Sequence, residues 1–348
     1  MSIRVQKDFN LKTTNTFNIE AKCSYYVEYF SNEEIINFFK ENPEILKSEY
    51  LILGNGSNIL FTKDFCGTII RPRTSKINIK KEDKNNIYIT TEAGLDFDNF
   101  VEWTIKHEAF GLENLSAIPG TVGASAIQNI GAYGAEIGNF IHEVKFLNLT
   151  NLKIKKLKNS ELQYGYRDSI FKKELKNKIL ILSVTYKLTK KFSPNLSYID
   201  LAKLHKETRA ENQESKSKNQ EASKIRQEVI EIRNQKLPDY RILGNAGSFF
   251  KNPIISKEKF LNLKEKFPDI KYFDYDKENI KIAAGWLIDK CGFKGYSYNN
   301  AAVHQTQALI IINKGNCTAN DILKLSEIIQ KKIRETFDIQ LEPEVIFV

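Results

Sequence analysis

The chain of 348 residues has few of the side chains that build metal centres and disulfide frameworks. Its four cysteines, Cys23, Cys66, Cys291 and Cys317, lie far apart and form no C-x-x-C pair, and its four histidines are just as scattered. A structural zinc site needs closely spaced ligands, and a disulfide framework needs paired thiols. We therefore expect neither a metal ion nor a disulfide framework.

Long apolar runs are missing as well. A membrane span takes about 18 or more consecutive apolar residues, and a signal peptide needs an unbroken apolar core. No segment approaches that length, and the first ten residues, MSIRVQKDFN, are charged and interrupted. We expect a soluble, cytoplasmic protein that does not associate with membranes.

The net charge of +9 raises the question of nucleic-acid binding. The lysines are spread through the chain beside Asn and Glu, and they are not gathered with aromatic residues into a known binding motif. We therefore expect no nucleic-acid partner. The same charge suits an anionic small-molecule substrate.

Two common enzyme motifs are incomplete. Gly54 and Gly56 begin a G-x-G-x-x-G fingerprint, but the third glycine is absent and β-like sequence follows where a Rossmann site requires a helix. The Gly54-Asn-Gly-Ser-Asn58 turn is either an ordinary hairpin turn or a grip on a diphosphate through backbone N–H groups. Ser248 lies in Gly-Asn-Ala-Gly-Ser, not in G-x-S-x-G, so a hydrolase triad is not indicated.

The most unusual stretch is AIPGTVGASAIQNIGAYGAE, residues 117–136, which is rich in small residues and carries almost no charge. Glycine makes both a helix and a strand unfavourable, so we predict an ordered loop. Its bare backbone lets a flat or anionic group approach the N–H groups closely. A buried cofactor cradle is favoured over a long surface loop, which would carry more charged residues.

At 348 residues the chain exceeds what one hydrophobic core usually supports, so we expect two or three domains, and both strand-like and helical patterns occur along it. Residues 207–218 have hardly any apolar side chain and predict a solvated linker or an exposed helix start. The predicted strands are 23–30, 50–53, 58–61, 67–71, 87–90, 141–149, 152–157, 179–188 and 307–313, and the predicted helices begin near 32, 96, 222, 256, 283 and 319.

Several charged side chains are candidates for binding anions. Arg167, between aromatic residues, either forms an ion pair with Asp168 or grips a carboxylate with its planar guanidinium. Arg233 and Lys236 end a helix, where they suit its dipole or receive a phosphate. Glu342 and Glu344, in an apolar C-terminal strand, need partners.

Taken together, the motifs resemble the UDP-N-acetylenolpyruvoylglucosamine reductase (MurB) family, in its long-loop, type I form. The matching segments span nearly the whole chain in the family's order: Asn15-Thr-Phe17, LILGNGSNILF (51–61), GLENLSAIPGTVGASAIQNIGAYGAE (111–136), YGYRDSIF (164–171), KLPD (236–239), GNAGSFFKNP (244–253), AAGWLIDKCGFKG (283–295), AAVHQTQALIIIN (301–313) and LEPEV (341–345).

The resemblance implies an α+β protein of three domains, with an FAD-binding fold of the vanillyl-alcohol-oxidase (PCMH) type plus a C-terminal α+β substrate domain. Residues 1–75 would form the first FAD-binding subdomain, and residues 76–236 with 339–348 the second. Residues 237–338 would form the substrate-binding domain. The protein would be a monomer.

The implied reaction is the reduction of UDP-N-acetylglucosamine enolpyruvate to UDP-N-acetylmuramate for peptidoglycan synthesis, with FAD as cofactor and NADPH as hydride donor; the sequence leaves NADH use open. Arg167 would bind the enolpyruvyl carboxylate, Glu344 would stabilise the intermediate and Ser248 would protonate C2. FAD would be held by Gly54, Asn55, Gly56, Ser57, Asn58, Pro119, Gly120, Thr121, Gly123, Ser125, Gly131, Tyr133 and Gly134. The substrate nucleotide would be held by Tyr198, Arg233, Lys236, Asn252 and Gln307.

One segment departs from the family pattern. In type I members Gly-Asp usually follows the tyrosine that caps the substrate, whereas Ile199-Asp200 follows Tyr198 here, and the charged segment 204–218 is longer than usual. The rival readings are a flavin oxidase or dehydrogenase of the same fold and a non-catalytic nucleotide-binding relative. The first would often tether flavin through His or Cys, which the two predicted FAD loops lack, and the second would have lost Arg167, Ser248 or Glu344.

Overall fold

The computed structural model describes residues 3–210 and 217–348. The chain divides into two compact units. Unit 1 comprises Met1–Phe9, Cys23–Asn55 and Cys66–Asn234, and unit 2 comprises Asn10–Lys22, Gly56–Phe65 and Gln235–Val348.

The described residues form helices and strands in a mixed order. The helices are α1 Asn32–Glu41, α2 Phe97–Lys106, α3 Val122–Gln128, α4 Ile199–Ala210, α5 Lys218–Lys236, α6 Lys257–Lys266, α7 Ala284–Lys290 and α8 Ala319–Phe337. The strands are β1 Arg4–Asn10, β2 Lys22–Tyr29, β3 Tyr50–Ile52, β4 Ile59–Leu60, β5 Phe65–Pro72, β6 Ile77–Glu82, β7 Asn86–Glu92, β8 Gly131–Ala132, β9 Ala135–Glu136, β10 Ile141–Asn148, β11 Lys153–Lys158, β12 Ile179–Thr189, β13 Asn245–Ser248, β14 Ile254–Ser256, β15 Tyr272–Asp274, β16 Asn279–Ile282, β17 Ser297–Tyr298, β18 Ala301–Val303, β19 Ile310–Asn313 and β20 Ile346–Phe347.

Unit 1 is built on the antiparallel sheet β11-β10-β12-β7-β6. Strand β12 reads almost continuously apolar because both of its faces are buried. Ile179 and Ile181 point into a cluster that includes α2 and α3, whereas Leu180 and Leu182 point into a second cluster. The alternation follows from the two-residue period of a strand, and it sandwiches the sheet between two cores.

The second of these cores belongs to the sheet β1-β2-β5-β3 and to α1. Val27 of β2, Ile70 of β5 and Phe39 of α1 are all fully buried there. Ser31 begins α1 by accepting a hydrogen bond from the N–H of Glu33.

Unit 2 has one large core that joins the sheet β13-β19-β18-β17, the sheet β14-β16-β15 and α8. The buried residues Ile322, Leu325, Ile329 and Ile333 follow one face of α8 at spacings of three and four, as the helical period requires. A capping box of Thr318 and Asp321 begins this helix.

The expectation that residues 117–136 form only a loop is wrong, because they contain α3. The side chain of Thr121 accepts a hydrogen bond from the N–H of Ala124 and caps the helix. A Cβ at Gly123 would lie 2.9 Å from the Cβ of Ala93, so only a small residue lets α3 approach the sheet this closely. Burial of Val122 and Ala126 in the core outweighs the weak helix propensity of the segment.

Two further expectations need correction. Of the two alternatives for residues 207–218, a solvated linker does not describe 207–210, which belong to α4, whereas the helix start is found at Lys218, where α5 begins; residues 211–216 lie outside the described part of the chain. At the C-terminus, β20 begins only after Glu344 and pairs in parallel with β4. Glu342 is exposed there and lies 3.2 Å from Lys251 Nζ, so it is not a buried acid of an apolar strand.

The predicted α+β class is confirmed. The finer division into residues 1–75, 76–236 with 339–348, and 237–338 stays a prediction. In residues 3–210 and 217–348, no helix is both long enough and apolar enough to cross a bilayer.

Candidate active site

In unit 1, the end of the Gly54-Asn55 segment lies against the start of the small-residue stretch. Asn55 Nδ2 donates to Asp96 Oδ2 at 3.0 Å and to the Gly120 carbonyl at 3.1 Å. A Cβ at Gly54 would lie 3.0 Å from Thr121 Oγ1. Two of the predicted cofactor segments, far apart in sequence, are therefore in direct contact.

In unit 2, the Gly56–Asn58 part of the turn is fixed by the loop 11–19. Gly56 has a φ of +63°, and a Cβ there would lie 2.0 Å from the Thr14 carbonyl oxygen. The N–H of Thr16 donates to the Gly56 carbonyl at 3.1 Å. Only glycine fits this position, because a side chain would collide with backbone.

The same turn offers free hydrogen-bond donors. Within the described part of the chain, the backbone N–H groups of Gly56 and Asn58 meet no protein acceptor, and in unit 1 the same holds for the N–H of Asn55. Free N–H groups that lie close together in a tight turn can form an anion-binding concavity. The donors of the Gly56–Asn58 turn suit an anion, and the assignment of this turn to a diphosphate stays a prediction.

The rest of the small-residue stretch forms α3 and the hairpin of β8 and β9. Tyr133 and Gly134 make the hairpin turn with φ values of +49° and +81°. Ser125 is buried and its hydroxyl donates to the Val122 carbonyl at 2.7 Å, so that hydroxyl serves the helix. Pro119, at the start of the stretch, is half-buried.

Arg167 lies at the tip of a tight turn beside this stretch. The N–H of Gly165 and the N–H of Asp168 each donate to the other residue's carbonyl at 3.1 Å, and Arg167 adopts a φ of +54°. Its Nη2 donates to the Gly131 carbonyl at 2.7 Å. Asp168 forms an ion pair with Lys173 at 2.6 Å.

The left-handed backbone of a large residue costs free energy, and such strained residues cluster at functional sites. Two hydrogen bonds anchor the Arg167 turn to α3, because Tyr164 Oη donates to the Ala126 carbonyl at 3.0 Å and Ser169 Oγ to the Ile127 carbonyl at 2.7 Å. The guanidinium is thus placed beside Gly131 by the packing around it.

Tyr198 and Arg233, two of the predicted substrate residues, meet at Tyr133 in unit 1. The rings of Tyr198 and Tyr133 are perpendicular, with centroids 5.0 Å apart. Arg233 is hydrogen-bonded to the Tyr133 side chain. Burial lowers the pKa of the Arg233 guanidinium, and the contact with Tyr133 opposes this effect. An anion bound beside Arg233 would offset the cost of burying its charge.

A buried asparagine ties the Tyr198 segment to the hairpin. Asn114 Nδ2 donates to the Tyr133 carbonyl at 2.7 Å and to the Asn195 carbonyl at 2.8 Å. Asn195 in turn donates to the Gly134 carbonyl at 3.1 Å, and its Oδ1 accepts from the Ser197 hydroxyl at 2.7 Å. The backbone on both sides of the tyrosine pair is therefore held by side-chain amides.

Helix α5 is tied to the entry of the small-residue stretch through Asp98. Arg226 forms a bidentate pair with Asp98, with Nη2 2.8 Å from Oδ2, and the N–H of Ala117 donates to Asp98 Oδ1 at 2.6 Å. Burial alone would raise the pKa of Asp98, but the hydrogen bonds from Arg226 and Ala117 lower it below its ordinary value. Asp98 is therefore ionised at neutral pH.

Ser248 and Glu344 come together in unit 2. Ser248 is exposed at the end of β13, directly after Gly247, which has a φ of +69°. The N–H of Glu344 donates to the carbonyl of Phe249, the residue after Ser248, at 2.8 Å. Asn58 Nδ2 donates to the Glu344 carbonyl at 3.2 Å, so the Gly56–Asn58 turn contacts the same segment.

Asn252 and Gln307 both lie at the first turn of α7. Asn252 Oδ1 accepts from the N–H of Ala284 at 2.9 Å, and Gln307 Oε1 lies 3.7 Å from the Cβ position of Gly285. Lys236, the last residue of α5, is half-buried.

The predicted residues thus fall into two sets. Unit 1 holds Gly54, Asn55, the 119–134 segment, Arg167, Tyr198 and Arg233, whereas unit 2 holds Gly56, Ser57, Asn58, Lys236, Ser248, Asn252, Gln307 and Glu344. Across residues 3–210 and 217–348, the structure has no cluster of three or more His, Cys, Asp or Glu side chains suited to a metal ion.

Sequence reasoning missed Asn129, which organises the end of α3. It adopts a φ of +44°, its Oδ1 accepts from the N–H of Gly138 at 2.9 Å, and its Nδ2 donates to the Gly165 carbonyl at 2.8 Å. Asparagine is one of the residues that end helices in the left-handed conformation, but the prediction of a loop left no helix end to assign it to. Asn114 and Asp98 were missed because their partners are remote in sequence.

Two family models match the chain. One, described as "FAD binding domain", covers residues 24–155, and the other, described as "UDP-N-acetylenolpyruvoylglucosamine reductase, C-terminal domain", covers residues 237–348. The first model places the N-terminal part of the chain, with the contacting segments of unit 1, in a class of flavin-binding folds.

Full-length relatives are more specific. The UDP-N-acetylenolpyruvoylglucosamine reductase of Flavobacterium johnsoniae is 43% identical over 345 residues, which cover 99% of this chain and 99% of that protein. The reductase of Haemophilus ducreyi is 40% identical over 334 residues, covering 96% and 93%. The chain belongs to the UDP-N-acetylenolpyruvoylglucosamine reductase family.

A solved structure agrees with this fold. The crystal structure of UDP-N-acetylenolpyruvylglucosamine reductase (MurB) from Thermus caldophilus matches 99% of this chain and 99% of its own chain with a TM-score of 0.69 and 22% sequence identity. At this identity the likeness concerns the fold alone.

Proposed function

We propose that the protein reduces UDP-N-acetylglucosamine enolpyruvate to UDP-N-acetylmuramate, a step in peptidoglycan precursor synthesis, with NADPH as reductant and FAD as cofactor. The observation that carries this proposal is the similarity, along 99% of the chain, to a protein named as this reductase. The local geometry supports it, because anion-binding donors, a fixed guanidinium and an exposed serine occur on the segments that the reaction requires.

The residues present fit FAD. The free N–H groups of Asn55, Gly56 and Asn58 suit its diphosphate, and the segment 119–134 presents little side chain to its ring. FAD, when bound, supplies a hydride carrier between NADPH and the enolpyruvyl group. We assign the remaining cofactor contacts to Gly54, Ser57, Pro119, Gly120, Thr121, Gly123, Ser125, Gly131, Tyr133 and Gly134.

Arg167 binds the carboxylate of the enolpyruvyl group and stabilises the negative charge that develops there. A guanidinium is suited to this role because its parallel N–H groups match the two carboxylate oxygens. The anchored turn fixes the guanidinium before substrate arrives, so little reorganisation is needed in the transition state.

Ser248 gives its proton to substrate C2, and Glu344 stabilises the electron-rich intermediate by a hydrogen bond. The bond from Glu344 N–H to the Phe249 carbonyl keeps the two residues on adjacent backbone, which supports a shared role. A serine is a weak acid, so protonation by Ser248 requires a strongly basic carbon.

Tyr198, Arg233, Lys236, Asn252 and Gln307 hold the uridine diphosphate part of the substrate. Cations meet the charge of the diphosphate. Tyr198 covers the bound nucleotide as in type I members of the family, although the expected closure by segment 204–218 includes residues outside the described part of the chain.

The wider properties are proposed on the same basis. The protein acts as a cytoplasmic monomer on small molecules, without nucleic-acid or membrane partners. Its three domains are residues 1–75, residues 76–236 with 339–348, and residues 237–338.

The direct test is product analysis. Purified protein with FAD, NADPH and UDP-N-acetylglucosamine enolpyruvate should form a product with two added hydrogen atoms, in an amount equal to the NADPH consumed. A reaction without the nucleotide is the control. NADPH loss that follows dissolved oxygen without that product would indicate a flavin oxidase instead, and the absence of both activities would indicate a non-catalytic relative.

A further inference from the structure

A buried polar cluster joins α4 to α5 in unit 1, outside the residues to which a role has been given. His205 Nδ1 lies 2.9 Å from Glu228 Oε2, and Thr208 Oγ1 donates to Glu228 Oε1 at 2.6 Å. His205 is 8% exposed and Glu228 is 3% exposed. Both carboxylate oxygens of the α5 residue are therefore engaged by α4.

Helix α4 is a direct continuation of the segment that carries Tyr198. The N–H of Ala202 donates to the Tyr198 carbonyl at 2.9 Å, so the tyrosine backbone is hydrogen-bonded to the first turn of the helix. Any shift or rotation of α4 must therefore move the Tyr198 backbone.

The apolar contact between the two helices is small. Leu201 of α4 packs with Ile225, Val229 and Ile232 of α5, and the partly buried residues of that cluster are Leu204 of α4 together with Tyr133, Phe192, Leu196 and Tyr198. An apolar contact of so few residues does not fix the position of one helix along the other, because the hydrophobic effect has no directional preference. Directional hydrogen bonds select one register.

Helix α5 is the fixed partner in this arrangement. Arg226 pairs with Asp98 of α2, and Arg233 bonds Tyr133 of the hairpin. A histidine–carboxylate pair buried in an interior gains little stability over an apolar pair, since the cost of removing both groups from water offsets their attraction. What the pair adds is a directional hydrogen bond, which fixes the position of α4 along α5.

We propose that His205 and Glu228 are positioning residues for substrate binding: they lock α4 to α5 in one register and thereby hold Tyr198 against Tyr133, where it covers the substrate nucleotide. This inference rests on the proposed function, in which Tyr198 contacts substrate. It assigns no contact with substrate to either positioning residue.

The test compares Glu228→Ala with Glu228→Gln and with Lys203→Gln, a change at an exposed residue of α4. Glu228→Ala should raise the dissociation constant of UDP-N-acetylglucosamine enolpyruvate, measured from the flavin absorbance of the oxidised holoenzyme, by roughly tenfold. Glu228→Gln keeps an oxygen that accepts from Thr208 and should stay within about threefold of wild type. Lys203→Gln should bind as wild type does, and flavin reduction at saturating NADPH should be unchanged in all three variants.

Amide hydrogen exchange gives a readout that does not depend on the reaction. In Glu228→Ala, exchange in α4 should accelerate while exchange in α2 stays at the wild-type rate. His205→Ala removes the other partner and should reproduce both effects, which keeps the test available if Glu228→Ala does not fold.

Unchanged exchange in α4 would overturn the proposed lock. Faster exchange with unchanged nucleotide affinity would overturn the link between the lock and substrate binding. Failure of the wild-type protein to bind the nucleotide at all would instead count against the proposed function.

Discussion

Gly56 permits a quantitative test of the proposed diphosphate turn. Gly56→Ala places a side chain on backbone with a φ of +63° and puts its Cβ 2.0 Å from the Thr14 carbonyl oxygen. The left-handed conformation costs about 1–2 kcal/mol, and relieving the collision costs about 1–3 kcal/mol more, so the free energy of unfolding should fall by roughly 2–5 kcal/mol.

Gly292→Ala is the matched control within the same unit. Gly292 has a φ of +78°, but nothing lies within 4 Å of its Cβ position. The free energy of unfolding of this variant should therefore fall only by the cost of the left-handed backbone, about 1–2 kcal/mol. Urea denaturation of the two variants measures the difference, which is the cost of the collision.

The flavin content of the same two samples tests the functional part of the reasoning. Displacing Gly56 shifts the free N–H groups of the turn, so Gly56→Ala should purify with much less flavin per protein, whereas Gly292→Ala should keep the wild-type ratio of visible to ultraviolet absorbance. Equal destabilisation of both variants would refute the collision at Gly56, and full flavin content in Gly56→Ala would refute the assignment of this turn to the diphosphate.

Three further predictions concern single side chains. Ser248→Ala should leave flavin reduction by NADPH nearly intact and slow reoxidation by the enolpyruvyl nucleotide by orders of magnitude in stopped flow; equal slowing of both steps would contradict its role as proton donor. Asn114→Ala removes both bonds that hold Tyr133 and Asn195, so it should lower stability by about 1–3 kcal/mol and weaken nucleotide binding in a titration. Burial raises the pKa of Glu113, so wild type should lose stability relative to Glu113→Gln as the pH rises above the ordinary glutamate pKa; a constant difference in urea melts across that range would contradict this.

Helices and strands were predictable from the sequence alone where the spacing of their apolar residues matches the face that they bury in the structure. The apolar run that becomes β12 and the stripe that becomes α8 each agree with local propensity, and Thr318 gives a clear start signal. The mixed fold class follows from such segments because each of them buries the face that its own pattern predicts.

The elements that sequence reasoning missed depend on distant partners. Helix α3 exists because Gly123 can approach Ala93, and α4 is joined to α5 through His205 and Glu228, 23 residues apart. Neither contact produces a pattern in the neighbouring sequence. Glycine and charged residues, considered without their distant partners, favour a loop.

The candidate site likewise combines residues that could be predicted from the sequence with a geometry that depends on distant partners. Arg167 and the small-residue stretch attract notice by composition, but the left-handed turn at Arg167 and its bond to Gly131 depend on Tyr164 and Ser169 packing on α3. The residue types that a reaction needs can be found in the sequence, whereas the side chains that orient them become visible only in three dimensions.

The central claim is tested most directly by the visible spectrum of the purified protein under anaerobic conditions. We expect the yellow spectrum of oxidised flavin, its bleaching on addition of NADPH, and its return on addition of UDP-N-acetylglucosamine enolpyruvate without oxygen. A bleached spectrum that returns only when air is admitted would contradict the proposed acceptor, and a protein that binds no flavin would contradict the proposed cofactor.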